Sequence, residues 1–118
     1  MRYMILITGD EAEARCAPPG EEAQAFAAWE KYTQDLQKAG VLLAGDALLP
    51  SSRGSRVTVR DGKRSVTDGP FAEAKEVVGG YYLIQVKSKE DAIEWASRCP
   101  GALDGTIEVR EVMEFPAS

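Results

Sequence analysis

One stretch limits what this chain can fold into more than any other: Thr67 to Lys87, reading TDGPFAEAKEVVGGYYLIQVK. It joins a tight Asp-Gly-Pro-Phe corner to the longest strand-like run in the sequence. Asp68 carries the short carboxylate that caps Asx-turns. Gly69 permits backbone angles that other residues avoid. Pro70 fixes its own φ and pushes Gly69 toward extended geometry. Phe71 follows as an apolar anchor, and residues 72–76 are polar enough to lie at the surface. From Val77 the period becomes two. Val78, Gly80, Tyr82, Ile84 and Val86 share one face, and Val77, Gly79, Tyr81, Leu83, Gln85 and Lys87 share the other. The first set is apolar throughout, and the second still holds Val77, Tyr81 and Leu83. A strand with one solvated face is more polar than this, so both faces are expected to be covered, one of them by helices. Gly79-Gly80 inside a strand signals a bulge or a close approach of backbone or ligand.

Around this run the chain alternates period. Tyr3 to Ile7 reads as a first strand, apolar on both faces. Residues 9–20 form a charged loop ending in Pro18-Pro19-Gly20. From Glu21 to about Ala39 the spacing is helical, with Phe26, Trp29, Thr33 and Leu36 in one stripe and Ala25 and Tyr32 beside it. Glu21 and Glu22 suit the positive end of the helix dipole and Lys38 the other end; Gly40 stops the helix. Val41 to Leu49 is a second strand interrupted at Gly45-Asp46. Arg56–Arg60 and Lys63–Val66 flank Asp61-Gly62, the strongest short hairpin signal. Ser88-Lys89-Glu90-Asp91 opens a second helix in the manner of a capping box, with Ala92, Ile93, Ala96 and Cys99 on one face, Trp95 beside them, and Pro100-Gly101 as its end. Thr106 to Phe115 is the last strand. The order is β-α-β, an inserted hairpin, then β-α-β: an α+β, ferredoxin-like split βαβ arrangement, with two helices on one face of an antiparallel sheet. Met4, Leu6, Tyr81 and Leu83 would then leave the other face partly apolar. An exposed apolar face of that size calls for a partner, and a symmetric homodimer closing sheet on sheet is the simplest one.

At 118 residues the chain suits a single domain, 1–118, large enough to bury a core without metal or disulfide staples. A formal net charge of -5 disfavours nucleic acid and anionic membrane as general partners. No apolar run approaches the ~20 residues of a membrane span, and no cationic-then-apolar leader opens the sequence. Cys16 and Cys99 show no motif spacing, so two free thiols in a reducing cytoplasm are expected rather than a disulfide. Histidine is absent. That excludes Ser-His-Asp and Cys-His nucleophile systems, His-ligated metals and imidazole proton shuttles. No transition-metal site and no cofactor are expected.

Thr67-Asp68-Gly69-Pro70-Phe71, the Lys75-Glu76 pair, Gly79-Gly80-Tyr81-Tyr82, Glu90 through Ala96, Cys99-Pro100 and Gly105 through Arg110 also carry a resemblance, as does the opening Met1-Arg2-Tyr3-Met4. Together they resemble the DGPF branch of the YCII-related proteins over nearly the whole chain. The resemblance implies a ferredoxin-like domain that pairs into a dimeric α/β barrel, and it implies no specific activity.

The candidates for chemistry are few. Asp68 acts as a general base if desolvation raises its pKa; its structural alternative, favoured by the Gly-Pro that follows, is turn capping. Lys75 with Arg110 can hold a carboxylate or phosphate of a small ligand; the alternative is ion pairing with Glu73, Glu76 or Glu108. Tyr81 and Tyr82 fall on opposite strand faces, so one can offer a hydroxyl to a ligand while the other joins the core. Phe71, a further ligand-binding candidate, would pack under the Asp-Gly-Pro-Phe turn, which forms one wall of the same cleft. Cys99, on a helix face before proline, reads as packing rather than nucleophile. The hairpin's Arg53, Arg56, Arg60, Lys63 and Arg64 read as a solvated, aggregation-resistant edge in preference to a phosphate site, since no aromatic interleaves them. Three functions fit these residues: a small cofactor-independent enzyme on a hydrophobic or carboxylated metabolite, a ligand-binding module without turnover, and a regulatory or interaction module in a signalling or transcription-linked system.

Overall fold

A computed structural model describes residues 1–9, 22–69 and 77–116. Its main sheet has four strands, β1 (Arg2–Gly9), β2 (Leu42–Ala47), β5 (Val77–Gln85) and β6 (Thr106–Glu111), in the spatial order β2-β5-β1-β6, with every neighbouring pair antiparallel. A second, two-stranded sheet is formed by β3 (Ser55–Arg60) and β4 (Lys63–Asp68). Among the described residues the α-helices are α1 (Glu22–Lys38), α2 (Lys89–Ser97) and a single turn, α3 (Gly101–Asp104). The fold is therefore α+β with an antiparallel sheet, and β1 and β5, the most apolar runs, occupy its centre.

Antiparallel register puts paired residues on the same face. Tyr3 pairs with Ile84 and Glu111, Ile5 with Tyr82 and Val109, and Ile7 with Gly80 and Ile107. This face meets the helices. Tyr3, Ile5, Tyr32, Leu36, Ile84, Val86, Ala92 and Cys99 make one buried core, with Trp29, Tyr82 and Trp95 packed against it. Each large aliphatic side chain fully buried there contributes about 1.5–3 kcal/mol. Tyr32 holds the two helices together: its hydroxyl donates to the Trp95 carbonyl at 2.7 Å, and its ring meets Tyr82 edge-on at 5.4 Å. Arg98 stacks over Trp95 at 4.4 Å and reaches Asp35 of α1 at 3.7 Å.

The local punctuation behaves as its chemistry dictates. Gly40, at φ 74, ends α1 with Gly40 N–H donating to the Gln37 carbonyl and Val41 N–H to Leu36, the two bonds of a Schellman cap. Ser88 caps α2, its Oγ accepting from Asp91 N–H at 3.2 Å. Asp61 (φ 53) and Gly62 (φ 75) form the two-residue loop between Arg60 and Lys63, the positive-φ pair of a hairpin turn.

Several expectations are corrected. Phe26 does not join the α1 stripe; it is 72% exposed, and burial begins a turn later at Trp29. Helical period fixes an angle around the axis, not how far the sheet extends beneath it. Ile93 is likewise exposed beside buried Ala92 and Ala96. β2 runs through Gly45-Asp46 without a break, and its register shifts earlier, between Leu42 and Ala44; a Cβ at Gly45 would press on the Tyr82 ring at 2.8 Å, so the glycine makes room for the neighbouring aromatic. A bulge does occur at Gly79: Ile7 pairs with Gly80 but Thr8 with Val78. The extra residue moves Val78 to the face opposite the helices, reversing the alternation read from the sequence. β6 ends at Glu111, leaving Met113 and Phe115 exposed beyond it. α2 ends at Ser97, and Gly101 opens the helical turn α3 with Pro100 at its N-cap. Cys16, Pro70, Phe71 and Lys75 lie outside the described residues.

Candidate functional site

The sheet face away from the helices is built from two cross-strand rows. One runs Asp46, Tyr81, Leu6, Glu108; the other runs Ala44, Leu83, Met4, Arg110. Adjacent strands lie about 4.8 Å apart, so each row spans roughly 14 Å from edge to edge. The middle of both rows is apolar and half-buried (Leu6, Tyr81, Met4, Leu83), whereas Asp46, Glu108 and Arg110 at the outer ends are exposed.

The polar ends are paired. Tyr81 donates its hydroxyl to Asp46 Oδ2 at 2.6 Å. That bond, and the charge behind it, hold the phenol above its usual range. Arg110 Nη1 lies 3.3 Å from Glu108 Oε2, and both are exposed. The pair is weak in water, so its guanidinium is available to a competing carboxylate. Tyr82 is on the other face. Its hydroxyl and that of Thr33 share a hydrogen bond at 2.7 Å, and burial pushes its pKa up. It belongs to the layer between sheet and helices. The structure thus brings Tyr81 and Arg110 to one face and separates Tyr82 from them.

Asp68 ends β4, where its Oδ1 accepts from the Ser55 hydroxyl at 2.7 Å. Among the described residues this cross-strand hydroxyl is its partner; the turn it is expected to cap continues from Pro70, outside the described residues. Gly69 has no positive φ. It is glycine for space: a Cβ there would collide with the Ser51 carbonyl, where the 3₁₀ turn Ser51–Arg53 crosses beneath the chain. Cys99 is buried and its thiol is pushed up by that burial, the opposite of an activated nucleophile.

Beside the open face, at the foot of the hairpin, lies an open groove of about 640 Å³ lined by Leu48, Leu49, Arg53, Arg56 and Val78 among others. The bulge at Gly79 connects it to the open face, since Val78 pairs with Thr8 of β1. Sequence reasoning missed Asp46 and this groove. The available signal for Asp46 was a lone carboxylate inside Leu42-Leu43-Ala44-Gly45-Asp46-Ala47; it read as an interruption because its partner, Tyr81, is 35 residues away. No helix among the described residues is long and apolar enough to cross a membrane.

The family model of the YCII-related domain matches residues 1–116. An uncharacterized protein of Rhizobium meliloti (strain 1021) is 30% identical over 112 residues, which cover 93% of this chain and 90% of that protein.

Proposed function

The chain belongs to the YCII-related domain family, and on that premise we propose that it is a homodimeric small-molecule-binding protein whose ligand lies against the open sheet face. The strand order β2-β5-β1-β6 and the β-α-β, hairpin, β-α-β connectivity support a ferredoxin-like protomer. The Asp-Gly-Pro-Phe sequence supports the DGPF branch. Two open faces stacked on each other give a dimeric α/β barrel and withdraw Met4, Leu6 and Leu83 from water.

The observation that carries the reading is the distribution of groups on that face: an apolar middle, a hydroxyl–carboxylate pair at Tyr81–Asp46, and a loosely held guanidinium at Arg110. An apolar floor with a few convergent polar groups is how small-ligand sites are built. The matching ligand is a small apolar molecule with a carboxylate for Arg110 and a hydroxyl or carbonyl for Tyr81. No cofactor enters this reading, and turnover is not required by it.

A thermal-shift screen of purified protein against a metabolite library is the test. Apolar monocarboxylates should raise Tm in a concentration-dependent way. Arg110→Gln should abolish the shift for carboxylates, and Tyr81→Phe should weaken it roughly tenfold in apparent affinity, the scale of one hydrogen bond. Shifts that survive both substitutions, or a library in which no apolar carboxylate stabilises the protein, would overturn the site.

A further inference from the structure

Resting on the homodimer proposed above, we propose that the β3–β4 hairpin is an arm that clasps the second copy of the chain, with its valine face and its cationic tip as the contact. Every residue of β3 and β4 is exposed. A two-stranded hairpin alone in water is marginal. Within one chain this hairpin is closed at its foot, where Gly69 N–H donates to the Gly54 carbonyl at 2.9 Å and the Ser51 carbonyl lies against Gly69.

The register sorts the arm into two unlike faces. On one, Val57 pairs with Val66, and Val59 lies opposite Arg64; on the other stand Arg56, Thr58, Arg60, Lys63, Ser65 and Thr67. Val57, Val59 and Val66 are 59%, 59% and 51% exposed. A hairpin whose purpose was solubility would carry polar residues on both faces. Instead one face has the composition of a strand that expects to be covered.

Charge identifies what covers it. Residues 51–69 hold five of the chain's 14 Lys and Arg but two of its 19 Asp and Glu. The segment is thus +3, against −8 for the remainder. The surface that best complements the arm is therefore the rest of another copy of this chain, and Asp46 and Glu108 stand exposed at the edges of the sheet face that the homodimer brings together. Shape agrees. The radius of gyration is 16.5 Å, against roughly 13–14 Å for a compact domain of this length. An arm of six-residue strands reaches about 20 Å, enough to pass the edge of a facing sheet.

The experiment measures the dimer constant by sedimentation for three variants and adds a photo-cross-link. Val57→Thr/Val59→Thr/Val66→Thr keeps β-forming residues but removes apolar contact. Arg60→Glu/Lys63→Glu/Arg64→Glu reverses the tip. Both should weaken the dimer roughly tenfold or more, the second in a way that fades at high salt. Leu83→Glu should dissociate it through the sheet face. Val59→p-benzoylphenylalanine, irradiated in wild-type-like buffer, should give a product of twice the 12.8 kDa chain mass. Arm variants that dimerise as tightly as the parent, with no cross-linked dimer, would sink the arm while leaving the sheet face standing. A dimer that survives Leu83→Glu but is lost in the arm variants would sink the face instead. A parent that is monomeric at micromolar concentration would end both. Retention of the dimer together with tip-dependent binding to polyphosphate would assign the arm to an anionic polymer and overturn the clasp.

Discussion

At the scale of single residues, several side chains hold their places because of neighbours distant in sequence. Gly69 is the clearest. Its position beside Asp68 and Pro70 suggests a turn that needs unusual backbone angles, yet its φ is ordinary and the constraint is the Ser51 carbonyl where a Cβ would sit. Gly79, in the bulge, has the Ile7 carbonyl oxygen at 4.0 Å from a Cβ as its nearest foreign atom among the described residues. The two glycines should therefore respond oppositely to alanine. Gly69→Ala should destabilise by about 1–3 kcal/mol, the cost of forcing backbone apart. Gly79→Ala should be neutral or slightly stabilising, since alanine loses less backbone freedom in a strand. Urea unfolding of the two variants checks this; equal effects would place the constraint elsewhere.

The elements show why a correct period can still misplace a side chain. Phe26, Trp29, Thr33 and Leu36 fall at helical spacing, and the helix is there. Its buried stripe, however, is Trp29, Tyr32, Thr33 and Leu36, fixed by where β5 and α2 lie beneath it. Leu36→Ala should cost about 2–5 kcal/mol, as for other fully buried leucines. Phe26→Ala should change stability by less than about 0.5 kcal/mol, as for other exposed positions. A large loss at Phe26 by thermal or urea unfolding would show that this end of the helix is covered in solution. β5 teaches the same lesson through register: one extra residue at Gly79 sends Val78 to the open face and into the groove.

For the whole molecule, the four tyrosines act as one reporter. Tyr3, Tyr32 and Tyr82 are held above the ordinary value of 10 chiefly by burial, and Tyr81 chiefly by its bond to Asp46. A raised pKa means that the fold favours the neutral phenol. The stability this supplies is fully present below pH 10 and is lost as pH climbs through the folded values. Absorbance at 295 nm should stay nearly flat through pH 10, then rise steeply together with loss of far-ultraviolet ellipticity. A tyrosine ionising with a midpoint near 10 while the protein remains folded would contradict the described packing. The absence of histidine leaves no imidazole titration to bend the stability curve near neutrality.

What the sequence determined by itself was whatever a few adjacent residues settle. Asp61-Gly62 specifies its hairpin because both residues tolerate positive φ. Ser88 caps α2 because its hydroxyl needs only to reach three residues on. Gly40 ends α1, and the period-two run from Gly80 to Val86 marks the central strand. The turn, the cap and the stop depend on bonds within a few residues, and the strand run on a two-residue repeat, so each is legible in order along the chain. Tertiary structure decided the rest. It set which face of β5 meets the helices, where burial along α1 begins, and that Asp46 and Tyr81 form a pair. It also made the crossing of Ser51 under Gly69 the reason for that glycine. These are contacts between segments tens of residues apart, and they exist only once the sheet has fixed a register. One extra residue in a bulge is enough to exchange the two faces, and no local pattern carries that information.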